Sequence, residues 1–263
     1  MSDALEPPLT ARRDARDEHR AVSKQRDAFR RFKDCVETTP AATMDDVGSA
    51  GGPAGWTAAS STSGDDACRT VRRAFAELVQ PHVTESDDGD PSVHETIAAE
   101  LTEEVAVALA AEGGGNRFTP QLKRAVLEHT EQRLAENTVM VRVLERERDS
   151  LDSAIDDLKA ARERLPPTDE ATLILADTEE LLSMRDRIDA VESDLDAVAD
   201  RRQETLRHVS ATGLKAGIRH DAVVEYLSSD REVTYPVLSA VGELTTRCRK
   251  KRDAVHEALR EEY

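Results

Sequence analysis

Residues 119–166 read TPQLKRAVLEHTEQRLAENTVMVRVLERERDSLDSAIDDLKAARERLP, and this stretch decides the fold. Thr119 has the side chain of a helix N-cap and Pro120 suits the first turn; neither glycine nor proline then recurs before Pro166. The stretch therefore predicts one helix of about 46 residues, roughly 69 Å long at 1.5 Å per residue. Apolar side chains repeat every seven positions in two series: Leu144, Leu151, Leu158 and Leu165, with Leu127, Leu134, Val141 and Ile155. Such a repeat is typical of a coiled coil.

A second heptad series follows the double proline Pro166–Pro167. Its members are Ile174, Leu181, Ile188, Leu195 and Val209, beside Met184, Val191 and Val198. This helix begins either just after Thr168 or near Asp177, because Asp177 and Glu180 have the spacing of a capping box. Two long helices joined by a short proline-rich turn predict an antiparallel hairpin over residues 116–212.

The segments before the hairpin also predict helices. Residues 1–38 form an amphipathic N-terminal helix whose apolar stripe is Ala15, Val22, Phe29 and Val36. Residues 39–65, rich in Gly, Ala and Ser, predict a flexible linker. Residues 66–115 predict a short helical pair. Its second helix opens with a Ser92–Glu95 capping box and has the inner face Ile97, Leu101, Val105 and Leu109.

The C-terminal segment, residues 213–263, predicts helices that pack on the bundle. A short helix over about residues 221–227 leads to Thr234, and Pro236 opens a last helix with a long apolar face. Period-two alternation typical of strands is absent from the sequence. The predicted fold class is all-α: an elongated antiparallel coiled-coil hairpin with flanking N- and C-terminal helices, forming a three- to four-helix bundle.

The charge balance is strongly acidic. The chain has 263 residues, with 53 Asp or Glu, 36 Lys or Arg and a formal net charge of −17. The basic residues comprise 29 Arg and only 7 Lys, and aromatic residues make up 3% of the chain. Such a charge repels itself in dilute buffer, whereas at about 1 M salt the screening length falls to roughly 3 Å. The composition favours a protein of a salt-rich cytoplasm; an ordinary acidic protein with a long coiled coil is the alternative.

Composition also excludes several classes of protein. An integral membrane protein would need an apolar run of roughly 20 residues, which the sequence lacks. A disulfide-built secreted domain is disfavoured by three widely spaced cysteines and by the absence of a charged-then-apolar leader. The acidic surface disfavours a general nucleic-acid binder. We therefore expect a cytoplasmic protein with no membrane contact and with nucleic acid as an improbable partner.

Sites for chemistry are not evident in the sequence. Cys35, Cys68 and Cys248 form no Cys-x-x-Cys pair, and the seven histidines show no paired metal-ligand spacing. The acidic segment 81–91 lacks the spacing of an EF-hand, so we read it as a solvated loop. We accordingly expect no catalytic residues, no cofactor, no metal site and no enzymatic activity.

One dense basic run lies on the last predicted helix, comprising Arg247, Arg249, Lys250, Lys251 and Arg252. It could meet nucleic acid, which makes a nucleic-acid-associated regulator the alternative function. A solvated helix face is the simpler interpretation, because high salt weakens phosphate contacts steeply.

Four stretches carry a resemblance to known proteins: Arg72-Arg73-Ala74-Phe75 leading to Pro81-His82, Phe118-Thr119-Pro120, Glu145-Arg146-Glu147-Arg148 and Thr234-Tyr235-Pro236-Val237-Leu238. In these the chain resembles a family of uncharacterised haloarchaeal proteins, helical and containing coiled coils, that form a domain of unknown function. The resemblance spans most of the chain outside the Gly/Ser linker. It implies a salt-loving archaeal source and a helical fold, and it supplies no activity.

These observations together predict a structural or protein-interaction protein. Long heptads offer a surface for a protein partner or for self-association through the coiled coil. The sequence leaves open whether the heptads pair within one chain or between two chains.

Overall fold

The computed structural model describes residues 3–42, 63–83, 91–110, 117–207, 220–229 and 233–261. Within these ranges the chain is all helical, with ten helices and no strand. The helices are α1 (Glu6–Thr38), α2 (Ser63–Leu78), α3 (Gln80–Val83), α4 (Val93–Glu100), α5 (Glu103–Ala110), α6 (Pro120–Arg164), α7 (Glu170–Leu175), α8 (Thr178–Arg207), α9 (His220–Leu227) and α10 (Pro236–Glu261). Most of the predicted linker over residues 39–65 lies outside the described residues.

Capping side chains define where the two longest central helices begin. The Thr119 hydroxyl accepts a hydrogen bond from the backbone N–H of Leu122 at 3.1 Å, which confirms the predicted start of α6. Asp177 and Glu180 cap each other reciprocally. The Asp177 N–H donates to the Glu180 carboxylate at 3.1 Å, and the Glu180 N–H donates to Asp177 at 2.8 Å. Of the two predicted starts for the second long helix, the structure therefore takes the later one.

The helix predicted after Ser92 is in fact two helices. The Ser92–Glu95 capping box is present and opens α4 as predicted. At Leu101 the backbone leaves the helical region, with φ −112° and ψ −90°. The Thr102 hydroxyl then accepts the Val105 N–H at 3.3 Å and so begins α5. The predicted inner face survives the break, because Ile97, Leu101, Val105 and Leu109 are all buried.

Contacts divide the chain into two compact units. Unit 1 contains residues 1–19 and 142–263, and unit 2 contains residues 20–141. Helices α1 and α6 each contribute one part to unit 1 and the other part to unit 2.

The core of unit 1 is built from the heptad leucines and their partners. Leu151 and Leu158 of α6 pack in one apolar cluster with side chains of α8 and α10. The buried members from those two helices are Leu181, Ile188, Val191, Leu195, Val198, Val237, Ala240, Val241, Leu244, Cys248 and Val255. At about 25 cal/mol per Å² of apolar surface removed from water, such a cluster is the main source of stability in the unit.

The core of unit 2 gathers all four phenylalanines of the chain: Phe29, Phe32, Phe75 and Phe118. The rings of Phe32 and Phe75 meet edge to face, with centroids 5.3 Å apart and planes at 86°. Side chains of α2, α4, α5 and α6 close around them. Four of the eight aromatic residues of the chain are thus concentrated in one cluster, and each of these rings buries a large apolar area there.

Charged side chains tie the end of α1 to α6 within unit 2. The Lys123 ammonium donates to the carbonyl oxygens of Glu37 at 2.7 Å and Thr39 at 2.8 Å. It thereby satisfies carbonyls that a helix terminus leaves without a partner. The Lys33 ammonium lies 2.7 Å from the Glu131 carboxylate, and this hydrogen bond raises the pKa of Lys33.

Truncating Phe75 should strongly destabilise unit 2. We expect Phe75→Ala to lower the free energy of unfolding by about 3–5 kcal/mol, because it opens a cavity in a filled core. Denaturant unfolding followed by helical circular dichroism measures the change. Val107→Ala is the control, since Val107 is a large apolar residue of the same unit that lies exposed on α5. It should cost no more than about 0.5 kcal/mol, and equal losses in the two variants would contradict the assigned core.

Candidate interaction surface

Helix α7 is a six-residue helix at the corner between α6 and α8, and it is held by an N-cap. The Asp169 carboxylate accepts the Thr172 hydroxyl at 2.7 Å and the Thr172 N–H at 3.1 Å. These hydrogen bonds, the hydroxyl first, lower the pKa of Asp169. The stabilising contact is therefore fully present above the ordinary Asp pKa and is lost only as the pH falls through the lowered value.

The last two residues of α7 expose large apolar side chains. Ile174 is 73% exposed and Leu175 is 84% exposed. The heptad pattern predicts Ile174 as a member of the buried series that continues with Leu181. The helix break at residues 176–177 interrupts that register and turns Ile174 away from the core of unit 1. Full burial of each side chain would contribute about 1.5–3 kcal/mol, and this free energy is not used within the chain.

Two open grooves flank α7. The first, of about 560 Å³, has Leu173, Ile174 and Leu181 on one wall and Ala254 and Ala258 of α10 on the other. The second, of about 710 Å³, is lined by Leu175 and Met184 together with polar side chains. The apolar pair thus presents one side chain to each groove.

Acidic side chains line both grooves, and the second groove also contains Arg187, whose guanidinium donates to the Arg164 carbonyl at 3.0 Å. Glu170, Glu257 and Glu261 line the first groove, and Glu179 lines the second. All four are exposed, and in the described part of the chain none of them forms an ion pair with a basic side chain. We call the six residues Ile174, Leu175, Glu170, Glu179, Glu257 and Glu261 the corner surface.

The basic run of α10 is used partly inside unit 1. The Lys251 ammonium donates to the Pro166 carbonyl at 2.7 Å and to the Thr168 hydroxyl at 3.3 Å. Arg252 pairs with Asp189 and Glu192 of α8. Arg247 pairs with Glu243, one turn earlier on α10. The remaining two basic residues of the run, Arg249 and Lys250, are exposed.

The state of the Cys248 thiol and the placement of potential metal ligands both follow from the described residues. Burial, followed by the nearby Glu192 charge, raises the pKa of the Cys248 thiol, so this side chain stays protonated at neutral pH. Within the described ranges, no group of three His, Cys, Asp or Glu side chains is placed to hold a metal ion. Residues 84–90 of the predicted acidic loop lie outside those ranges.

A buried ion pair joins α6 and α8 in unit 1. The Arg202 guanidinium donates to both carboxylate oxygens of Glu147, at 2.9 and 2.7 Å, and to the Ser150 hydroxyl at 3.0 Å. The side chains of Arg202 and Glu147 are 2% and 3% exposed. Sequence reasoning missed this pair. Its signal was a gap in the heptad, because position 202 falls in the series Leu181, Ile188, Leu195 and carries a charge.

These features define an all-helical protein whose candidate site is a surface at a helical corner. The chain belongs to the family Domain of unknown function (DUF7260), whose model matches residues 9–252. No curated protein and no solved structure matches the chain. The apolar length that a bilayer crossing requires is not reached by any described helix.

Removing one partner of the buried ion pair should be costly. Arg202→Met removes the bidentate guanidinium from the buried Glu147 carboxylate, and we expect a loss of about 3–5 kcal/mol in the free energy of unfolding. Adding Glu147→Leu should recover most of that loss, because the desolvated charge is then gone. Denaturant titration measures all three proteins.

The neighbouring residue provides a matched control for this experiment. Arg201 pairs with Asp157, also across α6 and α8, but both side chains are about half exposed. Arg201→Met should therefore cost only about 0–1 kcal/mol. A similar loss in Arg201→Met and Arg202→Met would show that burial of the pair does not set its energetic weight.

Proposed function

We propose that this protein is a non-enzymatic structural or protein-interaction protein whose central element is an antiparallel coiled-coil hairpin formed by α6 and α8. In this proposal the α6–α8 pair, with the N- and C-terminal helices packed against it, forms a helical bundle that presents surfaces to a partner. The observation that carries the proposal is the pattern of polar contacts between α6 and α8.

Those contacts run in opposite sequence directions. Arg164, at the end of α6, pairs with Asp194, whereas Asp157 pairs with Arg201 at 2.6 Å. Glu147, still earlier on α6, pairs with Arg202. Moving toward the start of α6 thus moves the contact toward the end of α8, as expected for antiparallel helices.

The apolar contacts support pairing within a single chain. Leu151 and Leu158 share one buried cluster with Leu181, Ile188 and Leu195. Because these heptad leucines are buried within the chain, contacts with a partner fall to other, exposed side chains. The available mechanism is then recognition by surface residues rather than chemistry in an enclosed cavity.

Cross-linking tests the hairpin directly. In a Cys35→Ser background, the pair Asp157→Cys and Arg201→Cys should react with a short bismaleimide to give a product of monomer mass under denaturing conditions. Cys68 and Cys248 are buried and should react slowly. Peptide mapping by mass spectrometry identifies the linked positions.

The control pair is Asp157→Cys with Asp186→Cys. Asp186 is exposed on α8 and lies 15 positions before Arg201, which is about 22 Å of helix. This pair should not form the intramolecular product. Linkage of residues 157 and 186 in preference to 157 and 201 would refute antiparallel pairing, and a product of dimer mass for 157 and 201 would place the pairing between chains.

We further propose a salt-rich cytoplasm of a halophilic archaeon as the working environment. The net charge of −17 and the ratio of 29 Arg to 7 Lys support it, as does the resemblance to haloarchaeal proteins. On α8 the exposed acids Asp196, Asp200 and Glu204 follow one another at four-residue spacing. Like charges at that spacing destabilise a helix by a few tenths of a kcal/mol per pair, and salt screens the effect.

Stability should rise with salt. Raising KCl from about 0.1 M to 1 M shortens the screening length from about 10 Å to 3 Å, so the thermal midpoint should increase. The variant Asp196→Asn, Asp200→Asn and Glu204→Gln lowers the net charge from −17 to −14 and should need less salt for the same midpoint. A helical circular-dichroism signal and a midpoint that are unchanged in dilute buffer would contradict the proposal.

A further inference from the structure

We infer that the corner surface is a docking site for a basic, amphipathic helical segment of another protein. This inference rests on the proposed function, because it names where on the protein an interaction partner binds and what chemistry that partner has. The argument uses the apolar pair, the shape of the grooves and the charge around them.

The apolar pair supplies the anchor contacts. Ile174 and Leu175 project from a helix whose N-cap holds it in place, so the exposed side chains are preorganised before any partner arrives. The grooves on either side accept side chains of an incoming helix. Ala254 and Ala258, one turn apart on the wall formed by α10, leave room for close approach. A helix that carries apolar side chains at three- and four-residue spacing matches such a groove.

The acidic side chains of the corner surface favour a partner helix that has basic side chains beside its apolar stripe. Glu170, Glu179, Glu257 and Glu261 are exposed and, as far as the described residues go, have no basic partner. An incoming helix with Lys or Arg beside its apolar stripe would form ion pairs with these four carboxylates. Electrostatic complementarity of this kind sets specificity and orientation more than affinity.

The same charge disfavours a second copy of this chain as the occupant. In a two-fold symmetric dimer the same patch meets itself, so the corner surface would place carboxylates opposite carboxylates. Helix α1 carries nine basic and seven acidic side chains. Its apolar stripe is already buried, with Ala15 in the core of unit 1 and Phe29, Phe32 and Val36 in the core of unit 2. A basic partner of separate origin fits the surface better.

Peptide binding tests the inference on the full chain. The probe is a fluorescent peptide of about 16 residues, long enough for helix formation, with Leu at positions i, i+3, i+4 and i+7 and Lys on both flanks. Fluorescence anisotropy is measured in about 0.5 M KCl, which weakens non-specific attraction to the acidic chain. We expect micromolar binding that weakens at least about tenfold for Ile174→Glu with Leu175→Glu, because central apolar anchors dominate such interfaces.

Two matched controls separate specific docking from bulk charge. Val107→Glu adds a negative charge at an exposed apolar position of unit 2 and should bind the peptide like the unaltered protein. A scrambled peptide of identical composition has no apolar stripe and should bind at least about tenfold more weakly. Circular dichroism should show the same helix content in every variant, because the altered side chains are exposed.

Several outcomes would overturn the inference. They are the absence of peptide binding, equal binding by the scrambled peptide, and equal binding by a peptide whose Lys residues are replaced by Glu. A dimer of the unaltered protein in light scattering that Ile174→Glu with Leu175→Glu dissociates would assign the surface to a second copy. If the 157–201 cross-link forms and the peptide does not bind, this inference alone fails; if the cross-link does not form, the proposed function fails.

Discussion

Removal of the heptad leucines from water is the interaction on which unit 1 depends. Leu151 and Leu158 of α6 cannot be covered by α6 itself, because one helix exposes its whole apolar stripe. They are covered by side chains of α8 and α10, in one cluster that also takes in the beginning of α1. The remaining contacts of the unit are arranged around that cluster. Exposed ion pairs such as Arg201 with Asp157 contribute little energy, and they lie at its edges.

The buried Arg202–Glu147 pair adds specificity to this apolar cluster. Leucine packing alone tolerates a shift of one heptad with modest loss, whereas the same shift would separate the buried Arg202 guanidinium from the buried Glu147 carboxylate. A polar contact at one seam position is a known way to fix the register of paired helices. The bidentate geometry of the guanidinium, with Ser150 as a third acceptor, makes the contact selective for one alignment.

Helix ends were the most predictable part of the fold, since local side chains determine them. Ser92, Thr119 and the Asp177–Glu180 pair each act through hydrogen bonds within a few residues, so the sequence contains the whole interaction. The break at Leu101 and the exposure of Ile174 were not predictable from periodicity. Periodicity reports which side chains share a face, and it does not report where a helix ends and the next one begins along that face. Ile174 obeys the heptad spacing, yet the cap at Asp177 starts a new helix after it.

The candidate site was harder to predict than the core for a related reason. The acids of the corner surface come from α7, α8 and α10, and only the folded chain brings Glu257 and Glu261 beside Ile174. In the sequence, the basic run of α10 indicates a possible external binding surface because its residues are close together. In the folded chain Lys251 and Arg252 bind other residues of unit 1, so a dense run of charge was a poor guide to an external surface.

Lys251 links two places that lie 85 residues apart in the chain, since its ammonium holds the Pro166 carbonyl. Local unfolding of α10 would take this donor away, together with the wall formed by Ala254 and Ala258. The first groove beside α7 therefore exists only while the end of α10 is docked, whereas the second groove has no wall from α10. Fraying of the C-terminal helix would thus remove half of a surface that lies at an internal corner of the chain.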